Sequence, residues 1–288
     1  MRFLIIQENG LHEENRHMRE CFSIQYSLEK LGHKASCWGP GHELYEKNKQ
    51  LYLDKEIDVI FCLENYNNGW LPEDLSSAKA IKVFWSIDSH CALREHVQFC
   101  TMLKPQIFLT SAPGYIKDYK GVSEKQYWFP NAIDKRWFNK KDIPKTREMV
   151  FAASPIADRL NVSNFLSKMV GLELISNCKG EDYVNLLRSA KVSFNKSISD
   201  DINYRIFESL GCGTSLVTNN VPGLNQLFVL DQDLAVYNNH KEMIGVSQWL
   251  LKDDTARNQI AENGYKRTVS MHTYDNRAQY LCEIIDSL

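Results

Sequence analysis

Residues 203–223 constrain the fold of this chain more than any other segment. Three apolar side chains recur there at helical spacing: Ile206, Phe207 and Leu210. This spacing predicts a short helix with one face packed inward. The two glycines that follow Leu210 stop the helix, because glycine readily adopts the backbone of a helix end and a tight turn. Residues 214–218 (T-S-L-V-T) then predict a buried strand, and Pro222-Gly223 predicts a turn.

Arg205 and Glu208 lie three residues apart, on one side of the predicted helix. An arginine is a planar fork that suits a diphosphate, and a carboxylate accepts two hydrogen bonds from a vicinal diol. Together the two side chains suit the pyrophosphate and the ribose of a nucleotide. On spacing alone, however, an ordinary surface ion pair between them is the simpler interpretation.

The residues around this pair resemble the donor-site motif of GT-B glycosyltransferases. The motif is R-x-F-E-S-L-G-C-G, followed by a predicted strand, then T-N and V-P-G-L. More narrowly, they resemble the CgeB-like group, which is similar to spore maturation proteins and of the glycosyltransferase family-1 type. The resemblance implies that Glu208 binds the ribose hydroxyls of a nucleotide sugar and that Arg205 meets the diphosphate. It implies further donor contacts from flanking residues: Asn203, Tyr204, Asn220 and Gly223. Asp200 stands where many relatives carry a second acidic residue, often glutamate, which implies a contact with the sugar.

The length of 288 residues allows two domains of modest size. A net charge of -2 does not indicate a basic surface for binding nucleic acid or an anionic membrane. No apolar run reaches membrane-spanning length, and the run over 3–6 predicts a first strand and not a signal peptide. The eight cysteines form no CxxC pair, which is typical of buried thiols in a reducing compartment. We therefore expect a cytoplasmic protein.

Strand and helix patterns alternate along both halves of the chain. The predicted strands are 3–7, 34–38, 57–63, 81–85, 106–109, 149–152, 171–175, 191–194, 214–218 and 234–237. Besides the helix near 205, helices are predicted over 14–31, 72–79, 91–102, 156–169, 181–189, 239–251, 255–270 and 274–288. This alternation predicts parallel sheets covered by helices on both faces. No GxGxxG follows the first strand, so a dinucleotide redox function has little support.

Residues 130–134 (P-N-A-I-D) resemble the stretch that closes the N-terminal domain of GT-B enzymes, and the polar segment 135–147 predicts an interdomain linker. We expect an N-terminal Rossmann-like acceptor domain over 1–145 and a Rossmann-like nucleotide-sugar domain over 146–272. By resemblance, a final helix over 273–288 packs back on the N-terminal domain. The expected fold class is α/β with GT-B architecture, in which two Rossmann-like domains face each other across a cleft.

Asp88 and His90 are the candidate catalytic residues. They follow a predicted buried strand, and the carboxyl ends of such strands line the ligand crevice of a doubly wound sheet. The run V-F-W-S-I-D-S-H also resembles the W-x-x-D-x-H segment of the CgeB-like group. Either side chain could accept the proton of an acceptor as a general base. The alternative is structural: Asp88 orients the loop, and His90 packs or caps the helix.

Four further residues are candidates for binding. Ser154 and Arg159 lie where the first strand of the second domain gives way to a helix, a place that favours phosphate. Ser154 as a plain N-cap is an equal alternative. His12 and Arg16 follow the first strand of the chain, where GT-B enzymes often contact the acceptor or the transferred sugar, so we expect acceptor or sugar contacts from them.

The resemblance implies a glycosyltransferase that moves a sugar from a nucleotide-diphosphate sugar, UDP-sugar by expectation, to an acceptor. We expect no metal and no cofactor, because basic residues and helix ends neutralise the departing diphosphate in a GT-B site. The sequence leaves open a protein, glycan, lipid-linked sugar, small metabolite or modified nucleobase as the acceptor, and it leaves the oligomeric state open. Two alternatives are a non-catalytic sugar-nucleotide-binding or scaffolding protein, and a GT-B relative with epimerase or phosphorylase chemistry.

Overall fold

A computed structural model describes residues 1–10, 12–47, 56–65, 67–156 and 158–288 of the chain. The chain divides into two compact units. The first unit contains Met1–Pro130 together with Tyr274–Leu288, and the second contains Asn131–Thr273. In the described part of the chain, no helix combines the length and the apolar character needed to cross a membrane.

The first unit is built on a six-stranded parallel sheet. Its strands are β1 (Arg2–Ile6), β2 (Lys34–Trp38), β3 (Val59–Leu63), β4 (Ile81–Ser86), β5 (Ile107–Thr110) and β6 (Lys125–Trp128). Its helices are α1 (Glu20–Lys30), α2 (Glu43–Lys47), α3 (Ser89–Leu103) and, from the chain's end, α10 (Tyr274–Asp286). Short 3₁₀ helices occupy Glu13–Met18, Glu73–Ser77 and Pro113–Tyr119.

The strand order of this sheet is β2-β1-β3-β4-β5-β6. Every residue of β3 is buried, as expected for a central parallel strand covered by helices on both faces. The chain leaves β1 for β2 on one side and then returns to β3 on the other, so the order reverses between β1 and β3. In open α/β sheets, ligands bind outside the carboxyl ends of the strands at such a reversal.

Helix α10 belongs to the first unit although it comes last in the sequence. Asp275 accepts hydrogen bonds from Ser27 at 2.9 Å and from Lys30 at 2.7 Å, both on α1. The buried Arg277 donates from Nε to the Pro130 carbonyl at 2.7 Å. The last helix is therefore joined by polar contacts to both sequence ends of the unit's main segment.

The second unit is built on a five-stranded parallel sheet of order β11-β10-β9-β7-β8. Its strands are β7 (Arg147–Ala152), β8 (Glu173–Ile175), β9 (Ala190–Asn195), β10 (Ser215–Asn219) and β11 (Ala235–Tyr237). Its helices are α4 (Asp158–Val170), α5 (Gly180–Ser189), α6 (Tyr204–Gly211), α7 (Leu224–Leu227), α8 (His240–Lys252) and α9 (Asp254–Met271). The order of this sheet reverses between β7 and β9.

The segment after Pro130, expected to be part of the first domain and its linker, belongs to the second unit. Arg188 explains this, since its buried guanidinium donates to the carbonyls of Trp137 and Asn139 at 2.9 Å each. Lys145 donates from Nζ to the Arg188 carbonyl at 2.8 Å. The polar composition of the segment suggested a linker, but these polar groups fix it to the second unit.

Several local predictions differ from the structure. The helix expected over 72–79 is the 3₁₀ helix Glu73–Ser77. The helix expected over 14–31 is a 3₁₀ helix followed by α1, and the two are separate elements. Strand β6 was not predicted, because its four half-buried residues (K-Q-Y-W) lack a continuous apolar run. Helix α4 begins at Asp158, not at 156. Ser154 therefore lies outside the first turn of that helix, and the N-cap interpretation of Ser154 is wrong.

Candidate active site

Arg205 lies at the reversal point of the second sheet. Its Nε donates to the carbonyl of Ala152, at the end of β7, at 2.7 Å. Its Nη1 donates to Oδ1 of Asn195, at the end of β9, at 2.8 Å. The guanidinium thus joins the carboxyl ends of the two strands between which the order reverses. This is the position at which an open α/β sheet binds its ligand.

Two further contacts suit this guanidinium to an anion. Its carbon Cζ lies 5.2 Å from the ring centroid of Phe151, a cation–π arrangement that fixes the plane of the group. Arg159, on α4, donates from Nε to the Lys196 carbonyl at 3.2 Å. Burial, followed by the positive charge of Arg205, lowers the pKa of Arg159 to about 10. Two guanidinium groups that repel each other in this way are both stabilised by a bound diphosphate.

Glu208 lies one helical turn after Arg205 on α6. Its Oε2 accepts a hydrogen bond of 2.6 Å from the hydroxyl of Tyr183, on α5. Burial, and then the negative charge of Glu208, raise the pKa of Tyr183 well above its ordinary value, so the phenol keeps its proton and donates. A carboxylate has several lone pairs, so it can accept hydrogen bonds from ligand hydroxyls in addition to the one from Tyr183.

The interpretation of Arg205 and Glu208 as a plain ion pair is therefore not supported. Arg205 reaches back to the ends of two strands, while Glu208 bonds to a neighbouring helix. Their spacing places them on one side of α6, and each makes hydrogen bonds to a different neighbouring element. The sequence analysis did not identify Tyr183. It lies in an amphipathic helix pattern, and the spacing of that pattern does not indicate the hydrogen bond to Glu208.

Asn195 connects the site to the sheet. It is fully buried, and its Nδ2 donates to the hydroxyls of Ser197 at 3.2 Å and Thr218 at 2.9 Å. Its Oδ1 accepts from Arg205 and, at 3.2 Å, from Nδ2 of Asn203. All hydrogen-bonding atoms of this buried amide are thus engaged, which fixes its orientation.

The other predicted donor residues surround this centre in different ways. Asn203 occupies the N-cap position of α6, and Tyr204 is the half-buried first residue of that helix. Gly223 has φ of 88°, a left-handed conformation that glycine adopts easily, at the start of α7. Asn220 is exposed and donates from Nδ2 to Oδ1 of Asn238 at 3.3 Å. Asp200 is exposed in the loop before α6.

Ser154 lies between β7 and α4, where its side chain is exposed. Its carbonyl accepts a hydrogen bond from the amide of Ile156 at 2.8 Å, which forms a tight turn. The turn follows β7 and precedes the helix that carries Arg159. Ser154 therefore lies in the loop at the carboxyl edge of the second sheet, on the chain segment that joins Ala152 to Arg159.

Asp88 lies at the carboxyl edge of the first sheet, between β4 and α3. It occupies the N-cap position of α3, but its carboxylate makes no capping hydrogen bond. Its backbone amide and that of Ile87 each donate to Oε2 of Glu64 at 2.7 Å. Asp88 therefore does not orient the loop with its side chain, as the structural alternative required. Glu64 performs that task instead.

Although Asp88 is exposed as a residue, part of its carboxyl group is shielded from water. This desolvation, followed by the negative charges of Glu64 and Glu20, raises the pKa of Asp88 to about 6. A carboxylate with a pKa near neutrality is suited to proton transfer. His90 is half-buried in the first turn of α3.

His12 and Arg16 are exposed around the 3₁₀ helix that follows β1. Other residues instead line the carboxyl ends of β1 and β3. Nε2 of Gln7 donates to Glu20 at 2.9 Å, and Nη2 of Arg19 donates to Glu8 at 3.0 Å. The sequence signal for such residues was available, because Gln7 and Glu64 directly follow apolar runs and Glu8 comes next after Gln7.

Comparisons with known proteins concern the family and the fold of the chain. Residues 153–283 match the model of a family described as glycosyl transferase-like, which covers less than half of the chain. This range contains α6 with Arg205 and Glu208, and also Tyr183 and Arg159. The search of curated proteins found no match.

Solved structures match the chain over its whole length. HepE from Anabaena, in complex with UDP and glucose, has a TM-score of 0.71 and 12% identity over 100% of both chains. Sucrose-phosphate synthase from Thermosynechococcus elongatus has a TM-score of 0.69 and 11% identity over 99% of this chain and 98% of that one. A glycosyltransferase from Rickettsia africae has a TM-score of 0.65 and 10% identity over 98% and 97%.

At these identities the structural likeness establishes the fold alone. The chain has the GT-B fold, with one Rossmann-like domain around each parallel sheet. The family match over 153–283, which contains the second sheet's candidate donor residues, supports glycosyltransferase activity.

Proposed function

We propose that this enzyme transfers a sugar from a UDP-sugar to a hydroxyl-bearing acceptor without a metal ion. The observation that carries the proposal is the position of Arg205, which joins the ends of β7 and β9 at the reversal point of the second sheet. Uridine is the proposed base because HepE, which shares the fold, was solved with UDP and with UDP-glucose. The motif of α6 also supports placement in the CgeB-like group.

In the proposed donor complex, the diphosphate faces the guanidinium groups of Arg205 and Arg159, and Glu208 accepts hydrogen bonds from the ribose hydroxyls. When the bond between the anomeric carbon and the diphosphate oxygen breaks, the oxygen gains negative charge. Fixed guanidinium groups stabilise this charge more in the transition state than in the substrate, and this difference accelerates the reaction. Their hydrogen bonds to the sheet keep them in place for that step.

Asp88 is the proposed general base. As the acceptor oxygen bonds to the anomeric carbon, its proton passes to the Asp88 carboxylate, while the electron pair of the broken bond leaves with UDP. A carboxylate with a pKa of about 6 is ionised at neutral pH and yet basic enough to take this proton. The acceptor class stays open. The eight free cysteines support the proposal of a reducing, cytoplasmic location.

The test is thermal unfolding with UDP-, GDP-, ADP-, CMP- and dTDP-sugars, repeated on Glu208→Ala. A ligand that binds the folded state raises the unfolding temperature according to its affinity and concentration. We expect a rise with the UDP-sugars that disappears in Glu208→Ala. Arg147→Ala is the matched control, since Arg147 is the first residue of β7 and pairs with Glu173 at the amino-terminal edge of the same sheet, opposite to the candidate site. No rise with any nucleotide sugar would refute the proposed function.

A further inference from the structure

One oxygen of Glu64 receives three N–H donors. The amides of Ile87 and Asp88 each donate to Oε2 at 2.7 Å. The third donor is Nε2 of His96, on α3, at 3.2 Å from the same oxygen. Glu64 thus joins the end of β3 to both residues of the β4–α3 turn and to the interior of α3.

These donors keep Glu64 ionised. Burial alone would raise the pKa of Glu64, but the hydrogen bonds from His96 and from the amides of Asp88 and Ile87 outweigh burial and lower the pKa. Because an ionised carboxylate only accepts hydrogen bonds, Nε2 of His96 carries a proton. The charge of Glu64 is therefore a fixed feature of the turn that holds Asp88.

A second layer of hydrogen bonds holds His96 itself. Its Nδ1 lies 2.8 Å from the Ser86 hydroxyl and 3.2 Å from the Tyr119 hydroxyl. The Ser86 hydroxyl lies 2.7 Å from that of Ser89. Ser86, Ser89, His96 and Tyr119 are all buried. Such an extended buried network is more than an N-cap requires, since a single serine or aspartate suffices for that purpose.

We propose that Glu64, oriented by His96, is a positioning residue for Asp88. Its two backbone hydrogen bonds fix the turn that aims the Asp88 carboxylate, and its charge makes that carboxylate a better proton acceptor. The effect of this positioning on catalysis rests on the proposed function. Its effect on Asp88 itself can be measured without turnover.

Other charged groups also face Asp88, and they differ from Glu64 in their contacts. On α1, the charge of Glu20 raises the pKa of Asp88, and Arg19, one residue earlier, lowers it. Glu20 and Arg19 thus have opposite effects on the pKa of Asp88. Their side chains form a salt bridge of 3.4 Å with each other. On α3, His96 lowers the pKa of Asp88. Glu64 alone of these residues is hydrogen-bonded to the Asp88 backbone.

The experiment separates the charge of Glu64 from its hydrogen bonds. Glu64→Gln keeps an oxygen that accepts from the two amides but removes the charge, whereas Glu64→Ala removes both. Glu124→Gln is the charge control, because it precedes β6 and so lies at the opposite, amino-terminal edge of the same sheet. The titration of Asp88 is followed by the ¹³C signal of its carboxyl carbon, which is identified by its absence from Asp88→Asn.

We expect Glu64→Gln to lower the titration midpoint of Asp88 by about 0.5 pH unit or more, because a nearby like charge is removed. The acid limb of kcat/KM should move with it. Glu64→Ala should also lower kcat at least tenfold and leave UDP affinity unchanged, since the donor residues lie in the second unit. Glu124→Gln should change neither property.

The proposal is overturned if the titration midpoint of Asp88 in Glu64→Gln is the same as in the wild type. It is also overturned if Glu64→Gln and Glu124→Gln change this midpoint equally. Should Glu64→Ala fail to fold, Glu64→Gln still decides the question. Failure of the proposed function gives a different pattern: no nucleotide sugar then raises the unfolding temperature of the wild-type protein. If the Asp88 midpoint still moves in Glu64→Gln, the positioning of Asp88 by Glu64 is supported.

Discussion

Arg205 and Asn195 are joined by a hydrogen bond of 2.8 Å between Nη1 and Oδ1, and this contact connects the helix of the donor motif to the end of a central strand. Asn195 is fully buried and also hydrogen-bonds to the neutral side chains of Ser197, Thr218 and Asn203. Its amide is one of two groups that hold the guanidinium in position. The carbonyl of Ala152 supplies its second anchor.

Asn195→Ala should weaken the binding of UDP-sugar about tenfold or more, since the net contribution of a hydrogen bond to a charged group is about 1.5–3 kcal/mol. Isothermal titration calorimetry with UDP measures this change. Thr218→Val is the matched control, because it removes another partner of the same amide and leaves the bond to Arg205 in place. We expect it to lower the free energy of unfolding while the UDP affinity stays the same. Equal losses of affinity in both variants would contradict the role of Asn195.

Tyr183→Phe should weaken donor binding threefold to tenfold, on the order of the 0.5–1.5 kcal/mol that a typical hydrogen bond contributes. The phenol holds one oxygen of Glu208 at 2.6 Å, and without it the carboxylate samples more orientations. Tyr237→Phe removes the same atom from the same unit, but that hydroxyl donates to the backbone carbonyl of Asn195 at 3.2 Å. Calorimetry on both variants tests the prediction. An unchanged affinity in Tyr183→Phe would show that Glu208 needs no such support.

The sequence predicted the fold well because the central strands are continuous apolar runs. Strands β3 and β4 lie within one or two residues of their predicted ranges, since burial on both faces leaves an unmistakable pattern. Strand β6 was missed, because an edge strand with half-buried residues lacks that pattern. The domain boundary differed because the side chain of Arg188 binds the polar segment that resembled a linker.

The site was only partly predictable from the sequence. Arg205 and Glu208 were found because their motif is local, with helix, turn and strand in register. Tyr183 and His96 each contact a residue of another element. Tyr183 is 25 residues from Glu208 in the sequence, and His96 is 10 residues from Ser86. Spacing within one helix carries no information about such contacts. Glu64 had a local signal, a carboxylate directly after a buried strand, but the sequence gives no partner for it.

Gly264→Ala should lower the free energy of unfolding by about 1–3 kcal/mol, a typical cost of overpacking. A β-carbon there would clash with the carbonyl of Asp233 and would lie 2.6 Å from Cδ2 of Leu210, on the helix of the donor motif. Gly245→Ala is the opposite control, since nothing lies within 4 Å of its β-carbon. Alanine in that helix should stabilise the protein by about 0.5–1 kcal/mol. Urea denaturation of both variants tests the packing, and equal effects would contradict it.

The pH dependence of the reaction should identify the base. Because the pKa of Asp88 is raised to about 6, the carboxyl is protonated below that pH and ionised above it. A base must be ionised, so kcat/KM should rise as the pH increases through about 6 and then level off. Asp88→Asn should lower kcat about 100-fold or more, as loss of a general base does, and should abolish this rise.

His90→Gln is the comparison that decides between the two candidate bases. If Asp88 is the base, His90→Gln keeps the rise through about 6, because the ionisation of Asp88 is still required for turnover. If His90 is the base, the rise disappears in His90→Gln and persists in Asp88→Asn. UDP affinity, measured in parallel, should be the same in both variants, since the donor residues lie in the second unit. A loss of affinity in Asp88→Asn would place Asp88 in donor binding and remove it from proton transfer.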